Sequence, residues 1–154
     1  MASIDFRKAQ NRLLTNWPTI PIEVAPIAAP SVLVSLKNIG STNPKIRLNP
    51  LAKSDPLKTD QDFYIIDAPF PKPLMIAGDE GAGDGSNGLW NVEELAKQIR
   101  GITGVLEVGL FCGYDGIEAS EKGAKIGGQK PIAVYFGMED GSVKLRNRKG
   151  GPPR

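Results

Sequence analysis

Two kinds of apolar stretch share this 154-residue chain, and together they restrict what it can fold into. In residues 20–25 the apolar Ile20, Ile22 and Val24 alternate with Pro21, Glu23 and Ala25, and in 106–110 Leu106, Val108 and Leu110 alternate with Glu107 and Gly109. A period of two puts one face on a core and the other in water, the habit of antiparallel strands. Residues Ile132, Ala133, Val134, Tyr135 and Phe136 show no alternation. A strand apolar on both faces needs a covering layer on each, as in the middle of a layered α/β sheet. Strands of two different sheets are therefore predicted.

Helical spacing fills the gaps between the alternating strands. Val92, Leu95, Ala96, Ile99 and Ile102 recur along one face, with Asn91 at the N-cap, Glu94 three residues on and Gly101 at the stop. Val32, Leu33, Leu36 and Ile39 form a second stripe, ended by Gly40. The predicted order is strand 19–25, helix 31–39, strand 45–49, strand 62–68, helix 91–101 and strand 105–111. This β-α-β-β-α-β order makes the chain α+β and ferredoxin-like. A strand over 132–136, a turn at Glu139, Asp140, Gly141 and Ser142, and a strand over 143–146 follow. Segments 49–58, 69–88 and 113–129, rich in Gly, Pro, Asp and Ser, read as loops.

Composition bounds the function. With 40% apolar and 23% charged residues the chain is an ordinary globular one, and a net charge of +2 is too weak to imply nucleic acid or an anionic membrane. A single cysteine, Cys112, allows no intramolecular disulfide and suits a reducing, cytoplasmic setting. Without histidine, neither a zinc site of the usual ligands nor a Ser-His-Asp triad can be assembled within the chain. No apolar run reaches about eighteen residues, so a membrane span is not expected.

Several local patterns carry less than they suggest. Residues 83–88 satisfy G-x-G-x-x-G, but no strand ends before them and Asp79, Glu80 and Asp84 would repel a phosphate. Gly81 and Gly83 occupy positions where an EF-hand needs oxygen ligands. Glu23, Asp67 and Glu107 lie at the polar face of half-exposed strands, with solvent as the expected partner. The basic Lys144, Arg146, Arg148, Lys149 and Arg154 lack an aromatic platform and read as an edge strand entering a tail rather than a nucleic-acid surface. The helix implied by Arg7, Lys8 and Arg12 has too small an apolar face for membrane binding. Cys112 has no histidine or second cysteine nearby and reads as an inert, buried thiol.

Beyond these local readings, 104–111 (Gly-Val-Leu-Glu-Val-Gly-Leu-Phe) with 134–143 (Val-Tyr-Phe-Gly-Met-Glu-Asp-Gly-Ser-Val) resembles the carboxy-terminal signature of the type A ribose-5-phosphate isomerases. Asp5-Phe6-Arg7-Lys8, the stretch Ile20 to Pro26, and Thr59-Asp60 ahead of 63–67 fall in that family's order. The resemblance implies an isomerase of the pentose phosphate pathway that interconverts ribose 5-phosphate and ribulose 5-phosphate, with no cofactor and no metal. It also implies an architecture: residues 1–18 as the end of a Rossmann-like domain, 19–112 as a ferredoxin-like small domain, 113–129 as a flexible loop, and 130–154 as returning strands of the Rossmann-like domain with a basic tail.

One substrate-binding position carries over, Lys8, which matches a lysine that binds the sugar phosphate in the family; the alternative is a solvated lysine on a short amino-terminal helix. No catalytic residue carries over, because the family's catalytic carboxylate and phosphate-cradling turn lie upstream of the segment resembled. The expected partners are thus a sugar phosphate, completed by that upstream part, and further copies in a homo-oligomer, with no nucleic acid and no membrane. Gln61-Asp62 replaces the family's Asn-Gly-Asn turn, and 78–88 and 113–129 are enlarged. The alternative to an enzyme portion is a non-catalytic ferredoxin-like self-association module.

Overall fold

A computed structural model describes residues 2–76, 79–123 and 129–147. Its elements are β1 (Ala2–Asp5), β2 (Thr19–Val24), α1 (Ala29–Asn38), β3 (Lys45–Ile46), β4 (Tyr64–Pro69), α2 (Val92–Arg100), β5 (Val105–Val108), α3 (Gly116–Glu121), β6 (Ala133–Gly137) and β7 (Val143–Asn147). Single 3-10 turns lie at Phe6–Lys8 and Pro26–Ala28. The fold is mixed α/β, and the chain divides into two compact units, Arg12–Leu110 and Met1–Asn11 with Phe111–Arg154.

In the unit Arg12–Leu110 four strands make one sheet in the order β3-β4-β2-β5, each neighbouring pair antiparallel. The period of two in 20–25 becomes the burial pattern: Ile20, Ile22 and Val24 are buried while Thr19, Pro21 and Glu23 between them are half-buried. Ile66, Ala68 and Val108 are buried as well, as are Ala29, Val32 and Leu36 of α1 and Leu95, Ala96 and Ile99 of α2. Of the predicted stripe positions, Leu33, Ile39, Val92 and Ile102 are only half-buried, and Leu106, expected on the core face of the second alternating run, is exposed. Asn91 caps α2 by accepting the Glu94 N–H at 2.8 Å, and Gly101 ends the helix. Helix α1 starts two residues ahead of the predicted 31–39, because Pro30 sits in the first turn, where its missing N–H has no partner to lose.

β3 and β5 end earlier than the pattern suggests, while β4 both starts and ends later than the predicted 62–68. At β5 the Leu110 N–H donates back to the Val108 carbonyl at 2.8 Å, a three-residue turn that breaks the ladder before residue 111. Past β3 only single contacts continue, with the Arg47 N–H donating to Ile65 and Leu48 bridged to Pro56, while the Asn49 N–H donates to the Asp55 carbonyl and curls the chain away.

The other unit holds a three-stranded sheet, β1-β6-β7, with β1 parallel and β7 antiparallel to β6. Residues 132–136 were expected to be covered on both faces. Instead Ala133, Val134 and Tyr135 are half-buried and only Phe136 is buried: β6 is paired on both edges, but its two faces are incompletely covered. β7 is exposed along its whole length. The segment 113–129, expected as a loop, contains α3. Asp115 caps it, accepting from the Ile117 and Glu118 N–H groups at 2.9 and 2.8 Å, while the Glu118 side chain accepts the Asp115 N–H at 3.1 Å. This is a capping box, and its D-x-x-E spelling is present in the sequence. Residues 124–128 and the basic tail at 148–154 lie outside the described residues.

Candidate functional site

In open α/β sheets ligands are held beyond the carboxyl ends of parallel strands. β1 and β6 are the parallel pair here, and β1 runs directly into the turn Phe6–Lys8. Asp5, the last strand residue, keeps extended backbone angles and accepts the Arg7 N–H at 2.9 Å, while the Ala9 N–H donates to the Phe6 carbonyl at 2.9 Å. The turn is thus closed at both ends, with Lys8 as its last residue and exposed. The Arg7 guanidinium forks onto the same carboxylate, Nε to Oδ1 at 3.0 Å and Nη2 to Oδ2 at 2.6 Å. The side-chain hydrogen bond from Arg7, then its backbone N–H, pull the Asp5 carboxyl down to about 2, and the positive charge of Lys8 acts in the same direction.

The register sets Gly137 beside Asp5 and Val143 beside Gly137, so the β6-β7 turn lies at this same end of the sheet. There Asp140 accepts from the Ser142 N–H at 2.9 Å and the Ser142 hydroxyl at 2.6 Å, which holds its carboxyl below the ordinary range. Two carboxylates and two cations therefore frame one strand end, and both carboxylates already accept hydrogen bonds from neighbouring residues. Of the four, Lys8 is the group whose chemistry suits a phosphorylated ligand: a compact ammonium with three donors.

Elsewhere the structure revises the polar readings. Asp67 does not rely on solvent alone: Arg47 forks onto it, Nη2 to Oδ1 at 2.6 Å and Nε to Oδ2 at 2.9 Å. Glu107 accepts from Arg100 at 3.3 Å and from the Val108 N–H at 2.9 Å. Glu23 stands opposite Glu107 across the β2-β5 pair. Arg12 belongs to no membrane-facing helix; it donates to the Leu74 carbonyl at 2.9 Å and pairs with Asp79. Arg146 does have an aromatic neighbour, lying over the Phe136 ring at 5.4 Å, but that ring is buried and cannot serve as a stacking platform for a base. Cys112 is buried and in no disulfide. The glycine-rich 83–88 folds back as a hairpin, with Asp84 bridged to Trp90 and the Asn91 N–H donating to Gly83. Among the described residues there is no group of three or more potential metal ligands and no helix long and apolar enough to cross a membrane.

Residues 2–120 match the family Ribose 5-phosphate isomerase A (phosphoriboisomerase A), more than half of the chain. The chain belongs to the ribose 5-phosphate isomerase A family. A ribose-5-phosphate isomerase of Mycosarcoma maydis is 35% identical over 95% of this chain and 41% of its own length. The structure of ribose 5-phosphate isomerase A from Methanocaldococcus jannaschii is similar with a TM-score of 0.58 at 27% identity, covering 95% of this chain and 48% of that one. A D-ribose-5-phosphate isomerase in complex with phospho-erythronic acid gives a TM-score of 0.60 at 25% identity, with 95% and 48% covered. The chain therefore spans less than half the length of these isomerases.

Proposed function

We propose that the chain contributes the carboxy-terminal part of a ribose-5-phosphate isomerase and that Lys8 meets the sugar phosphate. The observation that carries this reading is the position of Lys8 in the turn after the parallel strand β1, where α/β sheets hold their ligands, in a chain of the isomerase family. Phospho-erythronic acid, a phosphorylated four-carbon sugar acid, is bound by one relative, which fits an ammonium group as a contact for phosphate or hydroxyl oxygens.

Moving a carbonyl between C1 and C2 needs a carboxylate to carry the proton, a donor or cation for the developing oxyanion, and N–H groups for the phosphate. Lys8 supplies the cation. We assign the carboxylate and the phosphate turn to the portion of the family fold that these residues do not span. The strand order β3-β4-β2-β5 with two crossover helices supports a ferredoxin-like small domain, and the parallel β1-β6 pair supports a piece of a Rossmann-like domain. The lone, buried Cys112 and the metabolic family favour the cytoplasm.

A second reading, association of copies without catalysis, is favoured by Phe111, Ile117, Val143 and Leu145, large apolar side chains that all stand exposed. A coupled assay separates the two roles. The purified 154-residue chain is expected to give no conversion of ribose 5-phosphate above background, and turnover that persists after removal of host isomerase would refute the division of labour. In an isomerase carrying these residues together with the remaining fold, Lys8→Ala is expected to lower kcat/KM by roughly ten- to a thousandfold. An unchanged value would make Lys8 a solvated surface residue.

A further inference from the structure

Arg7 and Lys8 are adjacent cations on one exposed turn. An arginine is the better bidentate partner for phosphate, since its planar fork matches two oxygens at once. Here that fork is occupied. Both Asp5 oxygens face it, with Nε at 3.0 and 3.1 Å and Nη2 at 2.6 Å, while Oδ1 also holds the Arg7 backbone N–H at 2.9 Å. The pair is open to water, and an exposed ion pair contributes little to stability. Its effect is directional: it fixes the first peptide of the turn and keeps one guanidinium occupied.

We propose that Asp5 is a positioning residue for the sugar phosphate, capping the turn that presents Lys8 and holding Arg7 aside so that the ligand meets Lys8. The inference rests on the proposed contact between Lys8 and the sugar phosphate. Fixing the turn before binding removes an ordering cost that the complex would otherwise carry. Cap and fork are separable by chemistry: an asparagine at position 5 keeps an acceptor for the Arg7 N–H but loses the charge that holds the guanidinium, and an alanine loses both.

The test is a titration of ribose 5-phosphate, followed by NMR with isotopic labelling, into an isomerase carrying these residues together with the remaining fold, with inorganic phosphate as a parallel probe. Lys8→Ala is expected to abolish the shifts that the sugar phosphate induces in residues 5–9. Asp5→Ala is expected to weaken apparent affinity about fivefold, the effect of losing one cap. Asp5→Asn should recover most of that loss while the Arg7 side-chain signals lose their dispersion, a rescue that a general folding defect would not produce. If Asp5→Ala titrates like the wild type while Lys8→Ala does not respond, Asp5 has no positioning role and the Lys8 contact stands. If Lys8→Ala titrates like the wild type, the Lys8 contact falls and the role of Asp5 falls with it.

Discussion

The two units of this chain use the same kinds of residue to different ends. In Arg12–Leu110 a four-stranded antiparallel sheet buries one side chain in two along β2, and two helices contribute six buried positions. In the unit of 2–11 and 111–147, three strands include one that is wholly exposed, and the most apolar stretch of the chain, 132–136, reaches full burial at Phe136 alone. Side-chain apolarity is higher in β6 than in β2, yet burial is lower. Whether apolar residues become a core depends on how many layers surround them, not on their own hydropathy. The richer core lies in one unit, and the group proposed to meet the ligand is in the other.

The largest effect expected from this difference comes from the first unit's core. Leu95→Ala removes a fully buried side chain of α2 and should cost about 2–5 kcal/mol in denaturant unfolding followed through that unit. A loss below about 1 kcal/mol would mean that the helix-covered sheet is not tightly packed. Next comes a backbone site. Gly104 has φ +94° in the turn between α2 and β5, and an added Cβ would fall on the Ala28 side chain, so Gly104→Ala should cost about 1–3 kcal/mol. Equal stability to the wild type would show that this turn can relax.

Smaller still is the response of the exposed strand. Leu145→Ser on β7 should change stability by no more than about 0.5 kcal/mol while reducing any self-association of the chain, read by static light scattering across concentration. A large destabilisation would mean that β7 is covered in solution. The smallest and most local effect is the titration of Asp5. Its carboxyl lies at about 2 in the folded chain against an ordinary 3.8, so whatever the fork contributes is present above about pH 3.8 and is lost as pH falls through about 2. The Asp5 carboxyl signal in NMR should titrate near 2, and titration near 3.8 would show that the Arg7 fork is not formed in solution.

How much of this was legible in the sequence differs by unit for the same physical reason. The alternation in 20–25, the stripe from Val92 to Ile99 and the Asn91 cap are local patterns with one interpretation each, and the structure realises them with boundary shifts of a few residues. β1 carries no such signal: its four residues become a strand only because β6 lies beside them, 132 residues later in the chain. α3 was readable from its Asp115-Glu118 capping box but was outweighed by the surrounding glycines. The over-reading of β6 has the converse cause, since a sequence states what a strand would bury but not how many layers will cover its sheet. At the candidate site the resemblance supplied Lys8; the Asp5 cap and the Arg7 fork came from geometry, although D-x-R at that spacing permits both.

The contrast between the units is tested most directly by hydrogen exchange along the intact chain. The backbone amides of β2, β4 and β5 should exchange slowly and together, at the global stability of their unit, while those of β6 and β7 exchange at least about tenfold faster through local opening of a three-stranded sheet. Uniform slow exchange from residue 20 through residue 147 in a monomeric sample would contradict this account, because it would mean that both units share one cooperative core and that the second needs nothing further to be complete.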